Sequence, residues 1–216
     1  MITPIYMRGY SKLLPKHLLF LYNFSMNKRL FIVHGWDGSA HEPLITWLAE
    51  EGKKLGFETT ILEMPNPASP TIDAWVKHLE SVVMYPDENT FFIGHSMGCQ
   101  AIFRYLQSPE ITEAGGVICI APWLVLNNMN TEEEKTIARP WLENPINFSQ
   151  IKKVVKHMSL IFSDNDPFVP LAENRDLFAQ KRDAQVIVEQ GKGHFAESDG
   201  VKELPSAIEE LKKMSA

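Results

Sequence analysis

The stretch Thr90–Gly98, reading T-F-F-I-G-H-S-M-G, constrains this chain more than any other. Phe91, Phe92 and Ile93 form a short β-favouring apolar run, and Gly94-His95-Ser96-Met97-Gly98 follows without a break. Beyond it Met97, Ala101, Ile102 and Leu106 recur at helical spacing. The reading is a strand, a sharp turn carrying G-x-S-x-G, and a helix. Such a turn strains the serine backbone and needs glycine where the chain closes on itself. It exposes the serine oxygen and aims the first helical amides at whatever that oxygen attacks. The competing reading is an ordinary strand-to-helix turn that happens to contain Ser96; the strand before it and the helix after it favour a nucleophile.

The rest of the chain repeats the strand–helix alternation. Strands are predicted at Arg29–Val33, Phe57–Leu62, Phe91–Ile93, Gly116–Ala121, Met158–Ser163 and Gln185–Gln190. Helices are predicted from the Leu44/Trp47/Leu48/Leu55 face, from Thr71 as N-cap, from Met97, from about Leu171, and from about Leu204 to Met214. The strands are continuous apolar runs rather than alternating ones, which argues for a mostly parallel sheet covered on both faces. Residues 122–153 break the rhythm with one short helix, signalled by the capping box Thr131/Glu134, inside a long loop of the kind that forms a lid or binding wall.

A chain of 216 residues suits one domain, expected over residues 28–216. Residues 1–27 hold no acidic side chain and carry Arg8, Lys12 and Lys16; they read as a disordered extension or as a start assigned too early, with Met26 the alternative. The formal net charge of −6 and the lack of a basic run argue against nucleic acid as a partner. No apolar run approaches a membrane span. Cys99 and Cys119 fall in apolar contexts and read as reduced core residues, which fits a cytoplasmic location. Neither metal-ligand spacing nor a phosphate-binding glycine loop occurs, so no metal or cofactor is expected.

In a parallel sheet, ligands bind beyond the carboxyl ends of the strands. Four features fall at those ends: His34–Gly38, Ser96, Ser163–Pro170 and Gly191–Phe195. Serine holds its proton tightly and needs a base, which in turn needs an orienting partner. His194, in G-K-G-H-F, is the candidate base, and Asp166, in S-D-N-D-P-F-V-P, the candidate orienter; Asp164 is the alternative acid, or organises the turn. The order Ser, Asp, His is the one α/β-hydrolases use. His17, His78 and His157 fit less well, and His41 lies near the first loop but in the wrong order. An oxyanion needs two amides aimed at one point: Met97, after the serine, and Trp36, in the loop that His34 is expected to fix, are the candidates. Together these predict acyl transfer through Ser96.

The stretches F-I-V-H-G-W-D-G, L-E-M-P-N-P, F-I-G-H-S-M-G, S-D-N-D-P-F-V-P and G-K-G-H-F resemble the small serine hydrolases of the retinoblastoma-binding-protein-nine type and their bacterial relatives. The resemblance runs from about Lys28 to Met214. It implies an α/β-hydrolase fold with a sheet of about six strands and a small cap, a Ser96–Asp166–His194 triad, and esterase activity on small esters. In that pattern the acid lies four residues before the proline of D-x-x-V-P, which supports Asp166. The vertebrate namesake's L-x-C-x-E contact motif is absent around Cys99 and Cys119, so a pocket-protein partner is not implied. Trp36, Trp123, Trp141, Phe168 and Phe195 are candidate walls of an apolar pocket for a small ester or amide. The alternative is a non-catalytic interaction module that keeps the fold.

Overall fold

The computed structural model describes residues 27–181 and 184–216, so the expected extension lies, but for Asn27, outside the described residues. The strands are β1 (Arg29–Val33), β2 (Glu58–Leu62), β3 (Thr90–His95), β4 (Ala114–Ile120), β5 (Val155–Ser163) and β6 (Gln185–Glu189). They form one parallel sheet in the order β2-β1-β3-β4-β5-β6. The helices are α1 (Pro43–Lys54), α2 (Ile72–Val83), α3 (Met97–Leu106), α4 (Glu132–Glu143), α5 (Phe148–Val154), α6 (Leu171–Lys181) and α7 (Pro205–Met214). The chain steps outward from β1 to β2, then crosses back to β3. That reversal opens a crevice at the carboxyl ends of β1 and β3.

Burial follows strand position. Every residue of β1, β3 and β4 is buried, whereas the edge strands β2 and β6 are partly exposed. Register then brings the functional ends together. Val33 pairs with Gly94, His95 with Ile120, and Ser163 with Glu189, so the loops after β1, β3, β5 and β6 leave the sheet on one side.

Two departures from the sequence reading have physical causes. Helix α3 is not amphipathic in effect: all ten of its residues are buried, including Gln100 and Arg104. The segment after β4 covers its outer side, and the two polar side chains hydrogen-bond to that cover. Residues 122–153 hold two helices rather than one. Asn147 caps α5 by accepting from the Gln150 amide at 3.1 Å, and Phe148, Ile151 and Val154 bury one face. A seven-residue helix is too short for periodicity to stand out beside the turn-like N-P-I-N that precedes it.

Candidate active site

Ser96 sits at the tip of the turn between β3 and α3 with φ 51° and ψ −112°. A left-handed backbone at a non-glycine residue is strained and persists only where its surroundings fix it. Here the Ser96 amide donates to the Ile120 carbonyl at 2.8 Å. A Cβ added at Gly94 would lie 2.8 Å from the Cys99 nitrogen, and one at Gly98 only 2.4 Å from the Val33 carbonyl oxygen. The two glycines of the motif are therefore demanded by contact with backbone. Asp37, Ala121 and Phe195 share a positive φ (54°, 48° and 58°), so strained backbone gathers at the carboxyl ends of the strands.

His194 Nε2 lies 2.9 Å from Ser96 Oγ, and His194 Nδ1 lies 2.8 Å from Asp166 Oδ2. A carboxylate only accepts, so Nδ1 carries the proton and Nε2 offers its lone pair to the serine hydroxyl. The Asp166 side chain is 1% exposed, and its other oxygen accepts the Phe168 and Val169 amides at 2.9 and 3.0 Å. Asp164 lies apart from this line: its Oδ1 accepts the Gly191 amide at 2.7 Å.

The loops after β5 and β6 are joined nearly residue by residue. Besides the Asp164 and Asp166 contacts, Ser163 Oγ accepts the Lys192 amide at 3.0 Å, and Asn165 Oδ1 accepts the Gly193 amide at 2.8 Å. Ser163 Oγ also donates to Asn165 Oδ1 at 2.8 Å. Four consecutive side chains thus hold four consecutive residues of the histidine loop. Motif reading found the ends of this arrangement and missed Ser163 and Asn165, whose partners depend on the β5–β6 register. Two further residues touch the His194 backbone: Asp199 Oδ2 accepts its amide at 2.8 Å, and His95 Nε2 lies 2.8 Å from its carbonyl oxygen. Asp199 had a local signal in the D-G turn; for His95 the only signal was adjacency to Ser96.

A cleft of about 640 Å³ opens over Ser96 and His194. Trp36, Trp123, Leu126, Met129 and Phe168 form apolar walls, and the Phe168 ring meets His194 edge-on at 5.3 Å. Trp141 and Phe195, expected on the wall, do not line it. Phe195 turns its ring into the core. Trp141 anchors α4: its Nε1 donates to the Pro70 carbonyl at 3.1 Å, and its ring stands edge-on to Trp75. Both are large apolar side chains beside the site, and composition alone does not separate a wall from a floor. Met97 opens α3, where the first amides lack intrahelical acceptors. Trp36 follows Gly35, at which an added Cβ would lie 3.4 Å from Ser96 Cβ, so the β1 loop rests against the serine. His34 is fully buried and accepts the Met64 amide on Nε2 at 3.0 Å, tying that loop to the one after β2.

The segment after β4 is fastened to both sides of the site. Asn174 Oδ1 accepts the Leu124 and Val125 amides at 2.6 and 3.0 Å, and the Asn127 amide donates to the Phe168 carbonyl at 2.8 Å. Arg104 donates to the Trp141 and Asn144 carbonyls at 2.7 and 3.0 Å and lies over the Trp141 ring. Burial pulls its guanidinium pKa down to about 10, and the carbonyl dipoles at the end of α4 offset part of that cost.

Among the described residues no helix is long and apolar enough to cross a membrane, and no cluster of His, Cys, Asp and Glu has metal-binding geometry. Residues 30–213 match the serine hydrolase family. YdeN of Bacillus subtilis is 31% identical over 188 residues, covering 86% of this chain and 95% of that one. The rat serine hydrolase RBBP9 is 26% identical over 167 residues, covering 77% and 81%. The crystal structure of the B. subtilis ydeN gene product superimposes with a TM-score of 0.78 at 28% identity, over 87% of this chain and 98% of that one. At 17% identity, Est1E from Butyrivibrio proteoclasticus shares the fold, with a TM-score of 0.66 over 87% and 88% of the two chains. With its parallel sheet and helices this is an α/β-hydrolase fold, and the chain belongs to the serine hydrolase family.

Proposed function

We propose that the protein hydrolyses a small carboxylic ester or amide through an acyl-enzyme on Ser96. The observation that carries this reading is the unbroken line Ser96 Oγ–His194–Asp166 at the floor of an apolar cleft. Ser96 Oγ attacks the carbonyl carbon while His194 Nε2 takes its proton. The Met97 and Trp36 amides stabilise the oxyanion that develops. His194 returns the proton to the leaving alcohol or amine as the carbonyl re-forms, and water repeats the sequence to release the acid. Asp166 keeps the imidazole in the required tautomer and steadies the imidazolium.

The cleft also limits the substrate. Its charged lining, apart from His194, comprises Asp37, Glu42, Glu134 and Glu197, with no Lys or Arg, and none of these four carboxylates is ion-paired among the described residues. Backbone amides of Thr131 and Asn130 hold the Glu134 carboxyl below its usual range, which keeps it ionised. Uncharged or ammonium-bearing esters therefore suit the cleft better than carboxylate-bearing ones, by a factor that shrinks with added salt.

Fluorophosphonate labelling tests the reaction, because capture needs an activated serine and little else. Wild type is expected to label, and Ser96→Ala and His194→Ala are expected not to. A folded wild type that takes no label would sink the proposal. Turnover of matched aryl esters with neutral, ammonium-bearing and carboxylate-bearing acyl chains then tests the charge preference; equal rates at low salt would remove it.

A further inference from the structure

His194 is held at four points, and only two of them belong to the Ser–His–Asp line. Its ring nitrogens face Ser96 and Asp166. Its backbone amide donates to Asp199 Oδ2, which also accepts the Ala196 amide at 3.1 Å. Its carbonyl oxygen accepts from His95. A carbonyl only accepts, so the His95 bond fixes that ring as the Nε2–H tautomer and leaves Nδ1 with a lone pair. That Nδ1 is buried and has no partner. The ring is 6% exposed, lies 5.2 Å from the His194 ring, and is closed in by Gly35, where a Cβ would come within 3.2 Å of Nδ1.

A buried imidazole with one satisfied nitrogen and one unsatisfied one is a costly way to fill this space. An apolar side chain of similar size would leave no orphan atom. What the imidazole supplies and a hydrocarbon does not is a single N–H aimed at the His194 carbonyl. The backbone around His194 also needs help, since Gly193 and Phe195 on either side both have positive φ (52° and 58°). Without partners on both its amide and its carbonyl, that peptide segment could rotate and swing the imidazole off Ser96.

We infer that His95 and Asp199 are positioning residues that clamp the backbone of His194 from its two polar ends and so set the direction of its imidazole. The inference rests on the hydrolase reading above. Neither side chain gives or takes a proton in the reaction. Both act through His194, and the effect belongs to kcat rather than to KM.

Geometry supplies the test. The amide nitrogen of glutamine reaches the place of a histidine Nε2, whereas that of asparagine stops at the place of Nδ1, where no acceptor waits. His95→Gln is expected to keep kcat for an uncharged aryl ester within about threefold. His95→Asn is expected to lower kcat by about tenfold or more with KM within twofold, since a small misplacement of a catalytic group is enough for that. In parallel, Asp199→Asn, which keeps an accepting oxygen, should stay near wild type, and Asp199→Ala should fall with His95→Asn. Equal activity of the Gln and Asn variants, or a loss expressed in KM alone, would overturn the clamp. The downfield proton NMR signal of His194 Nδ1–H provides a readout independent of turnover. It should stay sharp in His95→Gln and broaden or vanish in His95→Asn, and an unchanged signal in both would also overturn the clamp. A wild type that neither labels nor turns over would instead defeat the hydrolase reading, and the NMR comparison would still decide the clamp.

Discussion

On the β3 side of the cleft, Ser96 is fixed by contact: Gly94 touches the Cys99 backbone, Gly98 touches the Val33 carbonyl, and no space remains for a methyl group at either. On the β5–β6 side, the loop that carries His194 is fixed by its amides: those of Gly191, Lys192, Gly193 and His194 donate to Asp164, Ser163, Asn165 and Asp199 respectively. Steric fixing is concentrated in the two glycines on either side of Ser96. Hydrogen-bonded fixing is spread over two loops, and each bond contributes about 1 kcal/mol. The strained residue is held by close contact, and His194, the proposed proton-transfer residue, is held by several weaker bonds.

The largest expected effect lies on the second side and separates its chemical member from its structural ones. Asp166→Asn should lower kcat by about 10⁴-fold, because an amide there either faces the Phe168 and Val169 amides with its own donor or offers His194 the wrong tautomer. Asp164→Asn keeps an oxygen to accept from Gly191 and should cost less than about tenfold. Steady-state kinetics on one uncharged ester compares the two, and the reverse ranking would make Asp164 the orienting acid.

Next in size is a strike at the first side. Gly98→Ala places a methyl carbon 2.4 Å from a backbone oxygen that β1 cannot move without leaving the sheet. It should destabilise the fold by about 4 kcal/mol, near the upper end for single substitutions. Asn165→Ala, which removes the acceptor of the Gly193 amide, should cost only about 1 kcal/mol. Urea unfolding midpoints measure both. Similar costs would erase the distinction between steric and hydrogen-bonded fixing.

The same difference explains what was legible in the sequence. Contact against backbone requires particular residue types at fixed spacing, so G-H-S-M-G announces its strand, turn and helix. The continuous apolar runs Leu30–Val33 and Phe91–Ile93 announce a parallel sheet for a similar reason: burial on both faces favours apolar residues through the middle of a strand. Hydrogen-bonded fixing leaves a weaker trace. Ser163 and Asn165 are ordinary turn residues until β5 pairs with β6, and Asp199 becomes a partner of His194 only when the intervening turn closes. Trp141 and Phe195 failed as wall residues because which side of a loop an aromatic ring takes is a tertiary matter. The capping box at Thr131 and Glu134 was read correctly because both of its bonds are local.

His95 is where the two kinds of fixing meet, since it ends β3 and reaches across to the His194 carbonyl. Burial first, and the neighbouring His194 second, push its pKa down to about 3, against the raising effects of the carbonyl bond and Asp166. In the unfolded chain the same ring takes up a proton near pH 6.5. Between those two values the unfolded state binds the extra proton, so acidification favours unfolding. The contribution is complete above pH 6.5, falls as pH drops, and falls no further below about 3. Its maximal slope is about 1.4 kcal/mol per pH unit. From pH 7 to pH 5, above the range where most carboxylates titrate, wild type should lose about 2 kcal/mol more stability than His95→Gln, which has nothing to protonate there. Urea unfolding of the two proteins at both pH values gives that difference directly. Parallel pH profiles would mean that water reaches the ring and charges it within the fold, which would set a cation 5.2 Å from the His194 ring.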